Sequence, residues 1–136
     1  LNLTSTLTAF ETWQYQYWGG TNYSEAAATA DPDGDGMDNQ AEFLTGTNPT
    51  NNASAFRIST ATPDGNNIVI TWTTAGGRTN RVQATAGDPG YATNNFADIS
   101  APIIIPVNPN DVTTNYVDVG GGTNVPSRFY RVRLVP

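Results

Sequence analysis

The segment Asp-Pro-Asp-Gly-Asp-Gly-Met-Asp-Asn-Gln-Ala-Glu, residues 31–42, restricts this chain more than any other. Its carboxylates repel one another unless a cation lies among them. Set on a twelve-residue calcium loop, Asp31, Asp33 and Asp35 occupy positions 1, 3 and 5. Gly36 falls at position 6, where the chain turns sharply, and Met37 at position 7, where a backbone carbonyl serves as ligand. Asn39 stands at position 9. Glu42 closes the loop at position 12 with both oxygens, from the first turn of a following helix. Calcium takes about six to eight hard oxygens at roughly 2.3–2.6 Å and tolerates irregular geometry. The pattern therefore predicts one Ca2+ held by Asp31, Asp33, Asp35, Met37, Asn39 and Glu42, with a loose loop in its absence.

Periodicity changes along the chain. Residues 1–50 read as a helical unit containing the loop, and residues 55–136 as a β-sandwich domain. A turn-rich linker, 46–54, joins them. In the first part Phe10, Trp13 and Tyr17 share one helical face, Thr4, Ser5 or Thr6 offers a cap, and Gly19-Gly20 stops the helix. Such a stripe is the usual core face of a docked helix, though Trp13, Tyr15, Tyr17, Trp18 and Tyr23 also suit a sugar-stacking platform. Ser24 then caps a short turn over Glu25–Ala28. In the second part six strands are predicted near 55–61, 67–74, 79–86, 96–105, 114–119 and 128–135. Pro102 and Pro106 flank Ile103-Ile104-Ile105 and mark an edge or irregular strand.

Composition removes most chemistry. The 136 residues include no Lys, no His and no Cys, and carry a net charge of −6. A thiol nucleophile, a Ser-His dyad, a Lys Schiff base, a zinc site of His or Cys and a disulfide framework are thus excluded. Six dispersed Arg in an acidic chain leave no footprint for nucleic acid. The longest aliphatic run falls far short of the ~18 residues that insert into a membrane. Carboxylates outside the loop sit mostly in turns, so no glycosidase pair is indicated. Asp98 and Asp118 lie in predicted strands and are expected to pair with Arg81 or Arg131. Polar, uncharged Thr (20) and Asn (15) replace charge on the surface, which suits a secreted or cell-surface protein. The start at Leu1, without Met or an apolar leader, suits a mature product or an excised fragment.

The stretch ADPDGDGMDNQAEFLTGTNPTN, residues 30–51, resembles the single calcium loops of dockerins and thrombospondin type 3 repeats. The wider pattern is similar to a module near the C-termini of bacterial extracellular proteins. An aromatic helix (Phe10 to Trp18) precedes the loop and a Gly-Thr-x-Pro turn, and a β-sandwich follows, ending in a strand like Arg128-Phe129-Tyr130-Arg131-Val132. The resemblance implies a calcium-stabilised, non-catalytic module. EF-hands usually carry an aliphatic residue at position 8 to bridge to a partner loop; Asp38 stands there, and no second loop exists in this sequence. A fixed structural ion is therefore expected, not a paired sensor or a cohesin-binding dockerin. The expected fold is mainly β with a small α part, the helix and single EF-hand-like loop packed on a fibronectin III/Ig-like β-sandwich. The expected role is a secreted or surface structural protein, a self-associating subunit of a filament or layer or a rigid spacer. Absent Lys leaves strand edges unguarded, and Ile103 to Val107 can add to a neighbour's sheet. The alternative is a glycan-binding or adhesion module of a larger secreted protein; a third reading is a passive stability domain of a longer enzyme.

Overall fold

The computed structural model describes residues 6–85, 95–123 and 128–136. Two compact units divide it, Leu1–Ala55 and Phe56–Pro136. The cap candidates Thr4 and Ser5, the end of the third predicted strand at Ala86 and the turn at 87–90 lie outside the described residues.

In the first unit, helix α1 spans Ala9–Trp18. Its N-cap is Thr8, not Thr6. The Thr8 hydroxyl accepts from the Glu11 N–H at 3.1 Å, and Glu11 accepts from the Thr8 N–H at 2.9 Å. This reciprocal box satisfies two otherwise orphaned donors and leaves Leu7 exposed before the helix. Gly19, at φ 73°, ends α1 in the left-handed region that a side chain disfavours. The aromatic face packs largely on itself: Phe10 stacks on Trp13 at 5.5 Å, and Trp13 meets Tyr17 and Trp18 edge-on at 5.1 and 5.5 Å. A single 3-10 turn covers Ser24–Ala26. Ser24 lies within that turn instead of capping it, and its hydroxyl bonds the Glu25 carboxylate at 3.1 Å. Helix α2, Asn39–Thr45, follows the acidic loop and ends at Gly46, again left-handed.

Residues 46–54 fold into hydrogen-bonded turns. The Asn48 N–H donates to the Ser54 hydroxyl at 2.9 Å, the Ser54 N–H to the Asn51 carbonyl at 2.8 Å, and Thr47 and Pro49 are buried.

Among the described residues the second unit has seven antiparallel strands in two sheets. Strands β1 (Arg57–Asp64), β2 (Asn67–Thr74) and β6 (Val112–Asp118) form one sheet in the order β1-β2-β6. The β1–β2 hairpin closes through Gly65-Asn66, with Gly65 at φ 59°, so β1 runs through Pro63 into a stretch that reads as turn. In the other sheet β3 (Thr79–Thr85) pairs with β7 (Tyr130–Val135), and also with β4 (Phe96–Asp98) and β5 (Ile103–Ile104). The single strand predicted at 96–105 is thus two short ones. Between them Ser100 bends the chain: its hydroxyl accepts the Val82 N–H at 2.9 Å, and its carbonyl accepts from Arg81. Both sheets supply the core. Ile70 and Trp72 of β2 and Val82 of β3 are fully buried, with Phe56, Ile58, Ile99, Ile103, Tyr116 and Tyr130 packed around them.

Two carboxylates of this unit, Asp98 and Asp118, gather its arginine ion pairs among the described residues. Arg133 grips Asp98 with two bonds of 2.9 Å, while Arg81 lies 3.4 Å from the same carboxylate. Hydrogen bonds from Arg133 and then Gln83 hold the Asp98 carboxyl well below the usual carboxylate range. Arg131 bonds Gln83 and lies over the Phe96 ring. Asp118 takes Arg128 as its partner, not Arg81 or Arg131, and also accepts from the Tyr130 hydroxyl at 2.7 Å.

Two outcomes follow from the Asp118 cluster. A Cβ at Gly121 would lie 2.7 Å from Asp118 Cγ and 2.8 Å from the Tyr130 hydroxyl, closer than side chains approach. Gly121→Ala should therefore break the cluster and lower stability by about 1–3 kcal/mol, the usual cost of overpacking, as urea denaturation would read. The Tyr130 phenol is pushed up to about 12, first by burial and then by the bond to Asp118 and its charge. Its contribution is full below the unfolded value near 10 and is lost as pH rises through the folded one. Wild-type protein should lose stability over that alkaline interval, and Tyr130→Phe should flatten the slope in pH-dependent melts.

Candidate metal centre

The loop geometry comes from backbone donors and two left-handed glycines. Asp31, the first acidic residue, accepts the N–H groups of Gly34 at 2.8 Å, Asp35 at 3.2 Å and Gly36 at 2.9 Å. These bonds wrap the following residues around one carboxylate. Asp33 accepts from the Asp35 N–H at 3.2 Å, and Asp35 from the Met37 N–H at 2.7 Å. Gly34 and Gly36 adopt φ of 74° and 95°, conformations that favour glycine. As a result, one oxygen from each of Asp31, Asp33 and Asp35 lies within 4.8 Å of the other two.

Glu42 is not part of that triplet, yet it stands close enough to feel it. It is fully buried on the first turn of α2, and one of its oxygens, Oε2, has no hydrogen-bond partner. The other receives a long 3.4 Å bond from the Thr47 hydroxyl. Burial, and then the charges of Asp33, Asp35 and Asp31, push its carboxyl up to about 8. Burial also raises Asp33, with the neighbouring carboxylates adding to it. Tyr17 of α1 is raised too, by burial and by the Glu42 charge. Buried oxygens on Asp33 (Oδ2) and Asn39 (Oδ1) are likewise without a hydrogen-bond partner.

Asn39 does more than a water-bridging position requires. It is fully buried, and its amide nitrogen donates to the carbonyls of Glu25 at 2.7 Å and Ala27 at 2.8 Å. Two bonds to carbonyls fix the amide orientation and leave Oδ1 as the atom available to an ion or its water. Asp38, the departure from the loop pattern, is the N-cap of α2 and accepts the Ala41 N–H at 2.9 Å. Its side chain thus has a structural task at the entrance to the helix that carries Glu42.

Comparison with family models, with characterised proteins and with solved structures finds no match to this chain. The site therefore stands on its own chemistry. A signal absent from the motif itself is the distribution of charge. All six Arg lie at residue 57 or beyond, so the unit Leu1–Ala55 contains seven carboxylates and no cationic side chain. Among the described residues of that unit, the buried Glu42 has no guanidinium or ammonium partner. A buried carboxylate without a partner is costly. A divalent cation would supply what the unit's side chains do not, and an all-oxygen donor set suits calcium over softer metals.

Proposed function

We propose that residues 31–42 bind one calcium ion and that the chain is a non-catalytic, calcium-stabilised structural module. The observation that carries this reading is Glu42, fully buried with an unpartnered oxygen beside three clustered Asp side chains. Asp31, Asp33, Asp35 and Glu42 supply carboxylate oxygens, Met37 its carbonyl, and Asn39 a water bridge through Oδ1. The ion fixes the loop between the 3-10 turn and α2. Calorimetric titration of chelator-treated protein with calcium tests this. One saturable site per chain supports it; the absence of binding at about 10 mM calcium, well above the usual extracellular range, overturns it.

The setting that fits such a site is outside the cell, where calcium near 10⁻³ M fills sites with dissociation constants on the order of 10⁻⁴–10⁻³ M. In the second unit, the orders β1-β2-β6 and β4-β3-β5, with β7 also on β3, suit a fibronectin III/Ig-like sandwich. Self-association into a filament or layer is supported by Ile104 and Val107, which are 79% and 90% exposed beside the short edge strand β5. Sedimentation in calcium should show a concentration-dependent oligomer, which Ile104→Lys reduces. The competing role, a glycan-binding module, draws support from exposed Tyr15 and Tyr23. The mutual packing of Phe10, Trp13, Tyr17 and Trp18 favours the structural role.

A further inference from the structure

We infer that filling the 31–42 loop controls the docking of helix α1, so that its aromatic face is assembled only in the cation-bound protein. The inference rests on the calcium reading above and extends it to a part of the unit that supplies no ligand.

Two physical connections run from the loop to α1. The first is a chain of hydrogen bonds through the 3-10 turn. Asn39, inside the loop, holds the carbonyls of Glu25 and Ala27. Gln14, the buried residue of α1, donates to the intervening carbonyl of Ala26 at 2.6 Å. Three successive carbonyls are thus gripped from opposite sides, by the loop and by the helix. The backbone continues the tie, with the N–H groups of Asn39 and Gln40 donating to the carbonyls of Ala30 and Ala28 at 2.9 and 3.0 Å. The second connection is aromatic. Phe43 follows Glu42 on α2, and its ring meets Phe10 at 5.3 Å and Trp13 at 6.0 Å. An ion that fixes Glu42 also fixes Phe43.

Helix α1 depends on these contacts. It has ten residues, whereas isolated helices shorter than about 12–15 residues are marginal in water. Its N-terminal box and left-handed stop define its ends, but they do not supply a core. Releasing the carboxylates of the loop loosens Asn39 and Phe43 together. The helix then loses both the acceptor for Gln14 and the ring against which Phe10 and Trp13 pack. Coupling of this kind is reciprocal: whatever the ion does for α1, a docked α1 does for ion affinity.

The test is amide hydrogen exchange on the full chain, in calcium and in chelator, with calorimetry alongside. Calcium should slow exchange at α1 amides by roughly fivefold or more, the usual lower bound for coupled sites. It should also slow exchange in α2. Gln14→Leu and Phe43→Leu each remove one connection without touching a ligand. Each should shrink the calcium effect on α1 while the effect on α2 persists, and the double variant should abolish it. By reciprocity each should weaken calcium binding by the same factor. A merely structural role would lower protection in both conditions equally and leave the calcium-dependent ratio unchanged, which would overturn the inference. If calorimetry shows binding but wild-type α1 exchanges alike in both conditions, the coupling fails and the site stands. If no binding occurs, both fail. The wild-type comparison decides the matter even where a variant does not fold.

Discussion

Glu42→Gln should raise the melting temperature in chelator and lower it in calcium. In the structure Glu42 is fully buried, with its carboxyl pushed up to about 8 by burial and by Asp33, Asp35 and Asp31. The unfolded chain ionises near the ordinary value of 4.5, so above that pH the unfolded state sheds its proton first. The Glu42 contribution to stability without the ion is therefore most favourable below 4.5 and is lost as pH rises through about 8, by an amount on the order of a few kcal/mol. Glutamine keeps the shape and removes the Glu42 titration, so the variant should show a shallower fall over that interval and be more stable than wild type at pH 7. With calcium the order reverses. The ion makes the carboxylate favourable, and an excess about a hundred times the dissociation constant adds about 2.7 kcal/mol to the folded state. Glutamine offers one neutral oxygen where the loop presents a charged pair, and affinity should fall by roughly two orders of magnitude. Melts at matched pH, with calcium and with chelator, would show the crossing.

The second large effect belongs to Trp72. It is fully buried between Ile70 and Val82, and its indole N–H donates to the Asn80 side-chain oxygen at 3.0 Å. Trp72→Ala should cost about 3–5 kcal/mol through the cavity it leaves. The exposed consequence for Asn80 is separate. Its amide nitrogen already lacks a partner, and losing the indole would strand its oxygen as well, at about 1–3 kcal/mol. Trp72→Phe isolates this term, because the ring still fills much of the space. Adding Asn80→Leu to Trp72→Phe should recover part of the loss, since replacing both members of a buried polar pair is less harmful than removing one. Urea titration of wild type, Trp72→Phe, Asn80→Leu and the double variant measures the pair energy directly.

Local chemistry was the readable part of the sequence. Gly19 and Gly46 stop their helices because each adopts a left-handed φ, and the Thr8-x-x-Glu11 box was open to reading too. The aromatic spacing shows the face of the helix but not its first residue, which the Thr8 box sets. The strands from β2 to β3 stand near where alternation puts them, because one side of each is buried. The division of 96–105 was hidden, since it depends on Ser100 accepting from Val82 across the sheet. Likewise the compactness of 46–54 rests on Ser54 capping Asn48, a closure invisible in a run of turn formers. In the acidic loop the motif marks which residues converge but not what else they do. Asn39 reads as a water-bridging position, yet it also ties the preceding turn, and that role appears only when Glu25 and Ala27 are brought alongside. The burial of Glu42 is equally a property of the folded unit, whereas the want of any cationic side chain before Arg57 was there to be counted.

The most direct measurement is a crystal structure of the protein grown in calcium, with anomalous scattering used to locate the ion. The account predicts one peak within the loop, ringed at about 2.3–2.6 Å by oxygens of Asp31, Asp33, Asp35, the Met37 carbonyl and both oxygens of Glu42. A loop without such a peak at saturating calcium, with Glu42 still buried and protonated, would contradict it.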